Sequence, residues 1–201
     1  SIESVIGNTD RPVAALQYDS RNAGKDDVFI AIKGSTFDGH EFISKAISQG
    51  VTVVVCQELP VDLVESITYV VVLNSAKALA IMASNYYGNP SENLKLIGIT
   101  GTNGKTTSKE LIKVCLSTQM NTAYTKGNLN NHIGVPLTLL EIKSSDKIAI
   151  IEMGANHPKE IHELCNIAEP NYGIITNIGL AHLEGFKSFE GVKKTKKELY
   201  D

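Results

Sequence analysis

The residues best suited to chemistry form a glycine-rich turn between an apolar segment and a helix-forming one. The turn reads Thr100-Gly101-Thr102-Asn103-Gly104-Lys105-Thr106-Thr107. Glycines at 101 and 104 let the backbone turn its N–H groups toward phosphate oxygens, where a helix N-terminus adds partial positive charge. In such a turn Lys105 contacts the β- and γ-phosphates of a nucleotide, and the Thr106 hydroxyl binds Mg²⁺. We therefore interpret residues 100–107 as a nucleotide-phosphate site and not as an ordinary turn.

This turn departs from the strict phosphate-loop pattern at one position. Ile99 stands six residues before Lys105, where the strict pattern has glycine, and glycines occur at positions 98 and 101 instead. The turn by itself is compatible with a kinase, a GTPase or a ligase. The choice between these classes depends on residues further along the chain.

Two other polar side chains follow predicted buried strands. Glu152 lies at the end of one such strand, and His182 lies just beyond the next. Ligands of open α/β sheets bind at the carboxyl ends of the strands, so Glu152 is placed to hold a metal near the phosphates. A neutral imidazole at position 182 can bind a metal or orient an acid. The alternatives are a carboxylate satisfied by backbone N–H groups and a purely structural histidine.

Lys196 interrupts an apolar stripe on the last predicted helix. Phe189, Val192, Lys196 and Leu199 are spaced by three, four and three residues, which places them on one helix face. Burial would lower the pKa of this lysine and favour the neutral amine. Carbon dioxide converts a neutral amine to a carbamate, which would be an anionic metal ligand. The alternative is that Lys196 extends its ammonium group out to solvent.

An asparagine-rich segment lies between the turn and Glu152. Residues 127–134 contain three asparagines and two glycines. Amide side chains donate and accept hydrogen bonds together, as sugar hydroxyls and peptide groups require. The segment is therefore a candidate amide-rich binding surface, and the alternative is a structural loop with asparagine turns. We expect Pro136 to begin the helix that follows.

A second group of polar residues occurs near the start of the chain. Ser20, Arg21 and the turn Asp38-Gly39-His40 adjoin predicted strands. In that position they are candidates for binding a uridine diphosphate. The alternative is ordinary turn chemistry with a surface ion pair.

The elements that must position these residues alternate between short apolar runs and helical patterns. Such alternation is typical of α/β architecture with mostly parallel strands. Turn-forming residues at 89–93 predict a linker between an N-terminal domain, 1–88, and a second domain, 94–201. A last helix beginning near Ser188 and still running at Asp201 suggests that the second domain is truncated. The predicted strands are Asp27–Ile32, Val51–Cys56, Tyr69–Leu73, Leu94–Thr100, Lys147–Met153 and Gly173–Asn177, and the other predicted helices are Glu41–Gln49, Ala76–Tyr87, Lys105–Ser117 and Pro158–Ala168.

Composition narrows the function classes. The 201 residues carry a formal net charge of −3, which argues against a duplex-binding protein with a basic excess. No apolar run approaches the roughly 20 residues needed to span a bilayer. Cys56, Cys115 and Cys165 are far apart among apolar neighbours, so we expect buried reduced thiols and no disulfide or zinc site.

Taken together, these motifs resemble the Mur ligases, the ATP-dependent amide-forming family of peptidoglycan synthesis. Residues Ile99–Thr106 are similar to the phosphate loop of that family, including its glycine placement. Lys187 departs from the family, which usually has glycine there, so the local loop geometry is in question. Segments 127–134, 136–140, 152–156 and 181–186 resemble the member that acts last, whereas 19–21, 27–34 and 38–42 are shared with the preceding member.

The resemblance implies an α/β fold with a small N-terminal α/β substrate domain and a truncated P-loop-type ATPase domain with a mostly parallel sheet. It implies that Lys105 and Thr106 bind ATP phosphates and Mg²⁺. It further implies that Glu152, His182 and a carbamylated Lys196 are metal ligands. Asn130 and Asn131 would bind the UDP-muramoyl substrate, as would the residues named above at 20, 21 and 38–40.

The implied substrates are UDP-N-acetylmuramoyl-tripeptide and D-alanyl-D-alanine, joined through an acyl phosphate in the bacterial cytoplasm by a monomer without nucleic-acid or membrane partners. The alternatives are the preceding family member, which adds the third amino acid, and a non-catalytic fragment that binds UDP-substrate. A folate polyglutamylating ligase would not be expected to carry the turn at 38–40. A simple kinase would not explain the asparagine-rich segment.

Overall fold

Two compact units make up the chain, each built around its own β-sheet. Contacts group residues Ser1–Met82 into one unit and Ala83–Asp201 into the other. The predicted α/β class with mostly parallel sheets is confirmed. The structure, a computed structural model, describes residues 2–33, 38–86 and 94–201, so the predicted linker at 89–93 lies outside the described residues.

The sheet of the first unit has five strands in the order β1-β5-β4-β3-β2. All neighbouring pairs are parallel except β1 with β5. Strand residues alternate between the two faces of a sheet, and one face, which includes Phe29, Val54 and Tyr69, packs on Ile43 and Ala46 of helix α1. In chain order the elements are β1 (Ile2–Ile6), β2 (Leu16–Gln17), β3 (Val28–Ile30), a 3₁₀ turn (Gly39–Phe42), α1 (Ile43–Ser48), β4 (Val53–Cys56), β5 (Thr68–Val72) and α2 (Ser75–Tyr86).

The sheet of the second unit has four parallel strands in the order β7-β8-β6-β9. Every residue of β8 is buried, as expected for a parallel strand covered on both faces. Helix α3 starts five residues after the central strand β6 ends. The elements are β6 (Lys95–Thr100), α3 (Lys105–Ser117), β7 (Thr122–Tyr124), α4 (Gly134–Leu140), β8 (Ile148–Glu152), α5 (Glu160–Ala168), β9 (Tyr172–Ile175), α6 (Leu183–Phe186), α7 (Phe189–Lys197) and a 3₁₀ turn (Glu198–Tyr200).

Several predicted boundaries are wrong. The last α-helix ends at Lys197 and continues only as the 3₁₀ turn, so it does not run to Asp201. Helix α4 begins two residues before Pro136, and the proline is tolerated because the first turn of a helix needs no N–H partners. Cys115 is exposed on α3 and not buried, although all three cysteines are free.

Strands β1, β2 and β7 were not predicted. All five residues of β1 are exposed, and β2 and β7 are two and three residues long, so none carries a pattern of buried residues. Among the described residues, every helix is too short or too polar to cross a lipid bilayer.

Candidate functional site

The glycine-rich turn joins the end of β6 to the start of α3, as its sequence predicts. Gly101 has a φ of +146° and Gly104 has a φ of +78°, both in the region that favours glycine. A Cβ atom at position 101 would collide with the side-chain oxygen of Thr176 and crowd the Asn177 backbone. The turn therefore leads directly into a helix N-terminus, the geometry that suits a phosphate group.

The turn is held by the segment that follows β9. The Thr176 hydroxyl donates to the Asn103 carbonyl at 2.6 Å, and the Asn103 N–H donates to the Asn177 side-chain oxygen at 3.0 Å. The Gly179 N–H donates to the Thr102 hydroxyl at 2.9 Å. These holding residues are not evident from the sequence, because some 75 residues separate the partners. The only local signal is that they directly follow a strand.

Lys105 lies at the first position of α3 with its ammonium group folded over the turn. Its Nζ donates to the carbonyl oxygens of Gly101 at 2.8 Å and Thr102 at 3.1 Å. Burial lowers the pKa of Lys105, and the Glu152 carboxylate partly opposes that shift. The charge of Lys105 is thus concentrated at the place where phosphate oxygens would lie.

Glu152 lies at the carboxyl end of β8 and is only 1% exposed. Its Oε1 accepts hydrogen bonds from the Thr106 hydroxyl at 3.2 Å and the Asn130 amide at 2.9 Å. Its Oε2 is buried and has no hydrogen-bond partner among the described residues. The carboxylate is therefore held by side chains of the two neighbouring segments and not by backbone N–H groups, and one oxygen stays available.

Two further residues around Glu152 were missed by the sequence analysis. Thr125 is fully buried, and its hydroxyl accepts the Glu152 N–H at 2.9 Å. Lys109 is also fully buried, with its Nζ 3.9 Å from Glu152 Oε2. The spacing could have indicated Lys109, because it follows Thr106 by three residues and so shares its helix face.

A cavity of about 300 Å³ opens beside Lys105 and brings several predicted residues together. Asn130, Asn131 and His182 line it. The Asn131 side chain also accepts the N–H groups of Ile133 at 3.0 Å and Gly134 at 2.9 Å, so it fixes the start of α4. Others of its lining residues are His132, Gly154, Ala155, Asn156, Glu160, Glu163 and Leu164.

Lys196 is buried, with only 3% of its surface exposed, and does not extend to solvent. It lines a small cavity with Lys105 and His182, and its Nζ lies 5.6 Å from the centre of the Phe186 ring. The pKa of Lys196 is lowered to about 8, chiefly by burial and also by the nearby charge of Lys105, while Glu160 and Glu198 act in the opposite direction. Phe189 is 44% exposed, so the predicted apolar stripe is wrong at that position.

The oxygens around Glu152 fit Mg²⁺, which prefers carboxylate and hydroxyl ligands. The fit rests on the orphaned Glu152 Oε2 and on the Thr106 hydroxyl beside Oε1. Within residues 2–33, 38–86 and 94–201, no three His, Cys, Asp or Glu side chains form a metal cluster. The two side chains that the structure brings together for a cation are therefore Glu152 and Thr106.

In the first unit, the predicted residues lie at the carboxyl edge of its sheet. Ser20 is buried just after β2. Arg21 is 78% exposed and pairs with Asp19, its Nη2 donating to a carboxylate oxygen at 2.6 Å. Hydrogen bonds from Arg21 lower the pKa of Asp19. This is the surface ion pair that the sequence left open as the alternative.

The turn at 38–40 connects two strand ends of that edge. Asp38 accepts the His40 N–H at 3.0 Å and contacts the His40 Nδ1 at 2.6 Å. The Nε2 of His40 accepts the N–H of Gln57, just after β4, at 2.9 Å. Because Nε2 accepts, the proton of a neutral His40 lies on Nδ1 and is donated to Asp38. The backbone and ring hydrogen bonds from His40 lower the pKa of Asp38.

Comparison with known families agrees with this arrangement in both units. Residues 12–87 match the catalytic domain of the Mur ligase family, and residues 99–201 match the Mur ligase middle domain. The middle-domain match alone covers more than half of the chain. The chain belongs to the Mur ligase family.

The chain is similar to individual Mur ligases over nearly its whole length. It is 36% identical to a UDP-N-acetylmuramoyl-tripeptide–D-alanyl-D-alanine ligase of Haemophilus influenzae, over 98% of this chain and 43% of the relative. It is 37% identical to a UDP-N-acetylmuramoyl-L-alanyl-D-glutamate–2,6-diaminopimelate ligase of Clostridium tetani, over 96% of this chain and 43% of the relative. The chain thus spans about two fifths of the length of these relatives.

A solved Mur ligase supports the same assignment. The MurF ligase of Thermotoga maritima in complex with ADP superimposes with a TM-score of 0.79 at 34% identity, over 94% of this chain and 42% of that one. Lys187 of this chain, where the sequence resemblance predicts glycine, has a φ of +63°. The backbone there is in the left-handed conformation that favours glycine.

Proposed function

We propose that this chain provides the UDP-substrate and phosphate-binding parts of an ATP-dependent ligase. The ligase would join D-alanyl-D-alanine to UDP-N-acetylmuramoyl-tripeptide. The observation that carries the proposal is the convergence of Lys105, Thr106, Asn130 and Glu152 beside a glycine-rich turn. Likeness to MurF ligases supports the choice of substrates.

The residues around the turn have distinct roles in this reaction. Backbone N–H groups at 104–106, at the start of α3, would bind the nucleotide phosphates, and Lys105 would neutralise charge that develops on the transferring phosphoryl group. Thr106 and Glu152 would hold Mg²⁺, which supplies further charge neutralisation when it is bound. His182 and a carbamylated Lys196, which line the small cavity with Lys105, are proposed as additional ligands.

Substrate-binding residues are proposed in each of the two units. Asn130 and Asn131 would bind the muramoyl part, since their amides line the cavity beside Lys105. Ser20, Arg21, Asp38, Gly39 and His40 would bind the uridine diphosphate at the edge of the first sheet. To bind a phosphate, Arg21 must donate hydrogen bonds to the phosphate oxygens, either in place of the Asp19 carboxylate or in addition to it.

The reaction begins when the substrate carboxylate attacks the γ-phosphorus of ATP, giving an acyl phosphate and ADP. The amine of D-alanyl-D-alanine then attacks the acyl carbon, loses a proton and expels phosphate, so that one amide bond forms. We also propose that the protein is bacterial, cytoplasmic and monomeric, and that it has no nucleic-acid or membrane partner. These proposals rest on the family and on the net charge of −3.

Calorimetric titration tests the proposal directly. The chain is titrated with UDP-N-acetylmuramoyl-tripeptide and separately with Mg²⁺–ATP, and UDP alone serves as the matched control ligand. We expect binding of the uridine substrate and weaker binding of the nucleotide. Tight ATP binding without any response to the uridine substrate would contradict the proposal and favour a kinase.

A second candidate is the ligase that adds the third amino acid. The 37% identity to the Clostridium tetani enzyme favours it. Product analysis with D-alanyl-D-alanine against a diamino acid distinguishes them in the complete enzyme. For the 201 residues alone we propose binding without turnover, since the chain matches only about two fifths of its relatives.

A further inference from the structure

The proposed function leaves unexplained one charged side chain that lies deep inside the second unit. Lys109 of α3 is fully buried. It lies one helical turn after Lys105 and three residues after Thr106, so it extends from the same face of the helix into the protein. Lysine is almost never fully buried unless it is paired, so its partners define its role.

The ammonium group of Lys109 makes three polar contacts besides Glu152. It donates to the Thr125 carbonyl at 2.6 Å and lies 3.2 Å from a Glu110 carboxylate oxygen. It also approaches the Gly127 carbonyl at 3.4 Å. An ammonium group has three N–H donors, so these contacts use all of them. Lys109 therefore ties α3 to the backbone of residues 125–127, the segment that leads to Asn130.

The contact between Lys109 and Glu152 is electrostatic and is not a hydrogen bond. Nζ lies 3.9 Å from Oε2, too far for a hydrogen bond but close enough for strong attraction between buried charges. Oε2 has no hydrogen bond among the described residues, whereas Oε1 takes the Thr106 and Asn130 donors. The lysine thus balances the carboxylate charge without occupying the electron pairs of Oε2.

We propose that Lys109 is a positioning residue that holds Glu152 in place by charge and leaves Oε2 free to bind a divalent cation. The inference rests on the proposed function, since it assigns the partner of the carboxylate in that same site. Through Thr125 and Gly127, Lys109 also fixes the turn that places the Asn130 amide on Oε1.

Thermal unfolding of the chain with and without Mg²⁺ tests this role. Lys109→Met keeps the length of the side chain but removes its charge. The variant is expected to unfold roughly 5–15 °C lower, because a buried carboxylate has lost its counter-charge. Mg²⁺ should then raise the unfolding temperature of Lys109→Met more than that of the wild type, because the cation replaces the missing charge.

A double variant keeps the test decisive if Lys109→Met does not fold. Lys109→Met with Glu152→Gln removes the unpaired buried charge as well. We expect the double variant to fold and to unfold at a higher temperature than Lys109→Met alone. If Lys109 only stabilised the backbone, the added Glu152→Gln substitution would not raise the unfolding temperature.

Lys113→Met is the matched control on the same helix. The Lys113 ammonium lies 3.6 Å from Glu110 and 4.5 Å from the centre of the Tyr124 ring, and it does not take part in the Glu152 contact. Its removal should lower the unfolding temperature by only about 1–3 °C. The response to Mg²⁺ should equal that of the wild type.

Either of two results overturns the proposal. One is a double variant no more stable than Lys109→Met, and the other is an equal response of Lys109→Met and wild type to Mg²⁺. Failure of the proposed function has a separate signature. In that case the wild-type chain binds neither UDP-N-acetylmuramoyl-tripeptide nor Mg²⁺–ADP, while the coupling between positions 109 and 152 persists.

Discussion

At the scale of single residues, the second unit concentrates buried charge near the start of α3. Glu152, Lys109 and Lys196 are each 3% exposed or less, and Lys105 interacts with the Glu152 charge and lines a small cavity with Lys196. Buried charges are costly unless they are paired. Glu152 has two donors and two nearby lysines, whereas Lys196 faces the ring of Phe186 and the like charge of Lys105. Lys196 is therefore the group whose charged form the fold favours least.

The cost of burying the Lys196 charge should appear in the pH dependence of the free energy of unfolding. Its pKa of about 8 lies below the ordinary value of 10.5, so below pH 8 the folded state bears the cost of a buried charge. Between pH 8 and 10.5 the unfolded state binds more protons, and the free energy of unfolding rises with pH by up to about 3 kcal/mol. Below this range Lys196→Met should be more stable than the wild type by about 1–3 kcal/mol.

Urea unfolding at pH 7 and pH 10 in buffers free of carbon dioxide measures this difference. The advantage of Lys196→Met should shrink toward zero at the higher pH. The exposed Lys193→Met provides the control for general effects of lost charge. A stability difference that is equal at both pH values would show that Lys196 is not desolvated. With ¹³C-labelled bicarbonate added, a carbamate resonance in the wild type that is missing from Lys196→Met would identify the modification.

At the scale of elements, the loops between helices and strands carry most of the backbone strain. Within the part of the chain that the structure describes, five non-glycine residues have positive φ, and two of them, His182 and Lys187, flank the short helix α6. His182 lines the cavity from this position. The left-handed conformation costs L-residues about 1–2 kcal/mol, so the residues on either side of α6 are held in a strained backbone conformation.

Lys187→Gly is expected to raise the free energy of unfolding by about 0.5–1 kcal/mol. The strain of the φ of +63° is relieved, and the added freedom of the unfolded chain offsets part of the gain. Urea unfolding measures the change. Lys193→Gly, in the middle of α7, should instead lower stability by about 1 kcal/mol. Destabilisation by Lys187→Gly would mean that the lysine side chain contributes contacts that outweigh the strain.

At the scale of the whole molecule, both units place their candidate residues at the carboxyl ends of parallel strands. In the first sheet these are Ser20 and the turn at 38–40, and in the second they are the glycine-rich turn and Glu152. This is the edge where open α/β sheets bind ligands. Each sheet thus carries its own candidate site. The first is proposed to bind the uridine diphosphate, and the second is proposed to bind the nucleotide phosphates.

The two sites should lose binding independently. Arg21→Ala is expected to weaken binding of UDP-N-acetylmuramoyl-tripeptide by about 10- to 100-fold, as for a lost charge-assisted hydrogen bond, and to leave Mg²⁺–ADP binding unchanged. Lys105→Ala should abolish nucleotide binding in the chain and phosphate release in the complete enzyme. Calorimetry on each variant measures both affinities, with Lys25→Ala as the surface control. Loss of both ligands in either variant would contradict separate sites.

The sequence alone determined the class of fold, the central helices and strands, and the glycine-rich turn between β6 and α3. These features depend on local patterns: apolar runs of strand length, helical periodicity, and glycines at fixed distances from Lys105. Helix α3 has the predicted bounds, because its start follows a glycine turn and its pattern is uninterrupted. The family resemblance likewise follows from short contiguous motifs.

Only the tertiary structure decided which side chains surround Glu152 and whether Lys196 is buried. Lys109, Thr125 and the residues that hold the turn at 176–179 contact partners distant along the chain, and no local pattern encodes such pairs. The short strands β2 and β7 exist because neighbouring strands complete their hydrogen bonds, not because of their own propensity. Contacts across long loops are set by packing, so they become visible only once the sheets are assembled.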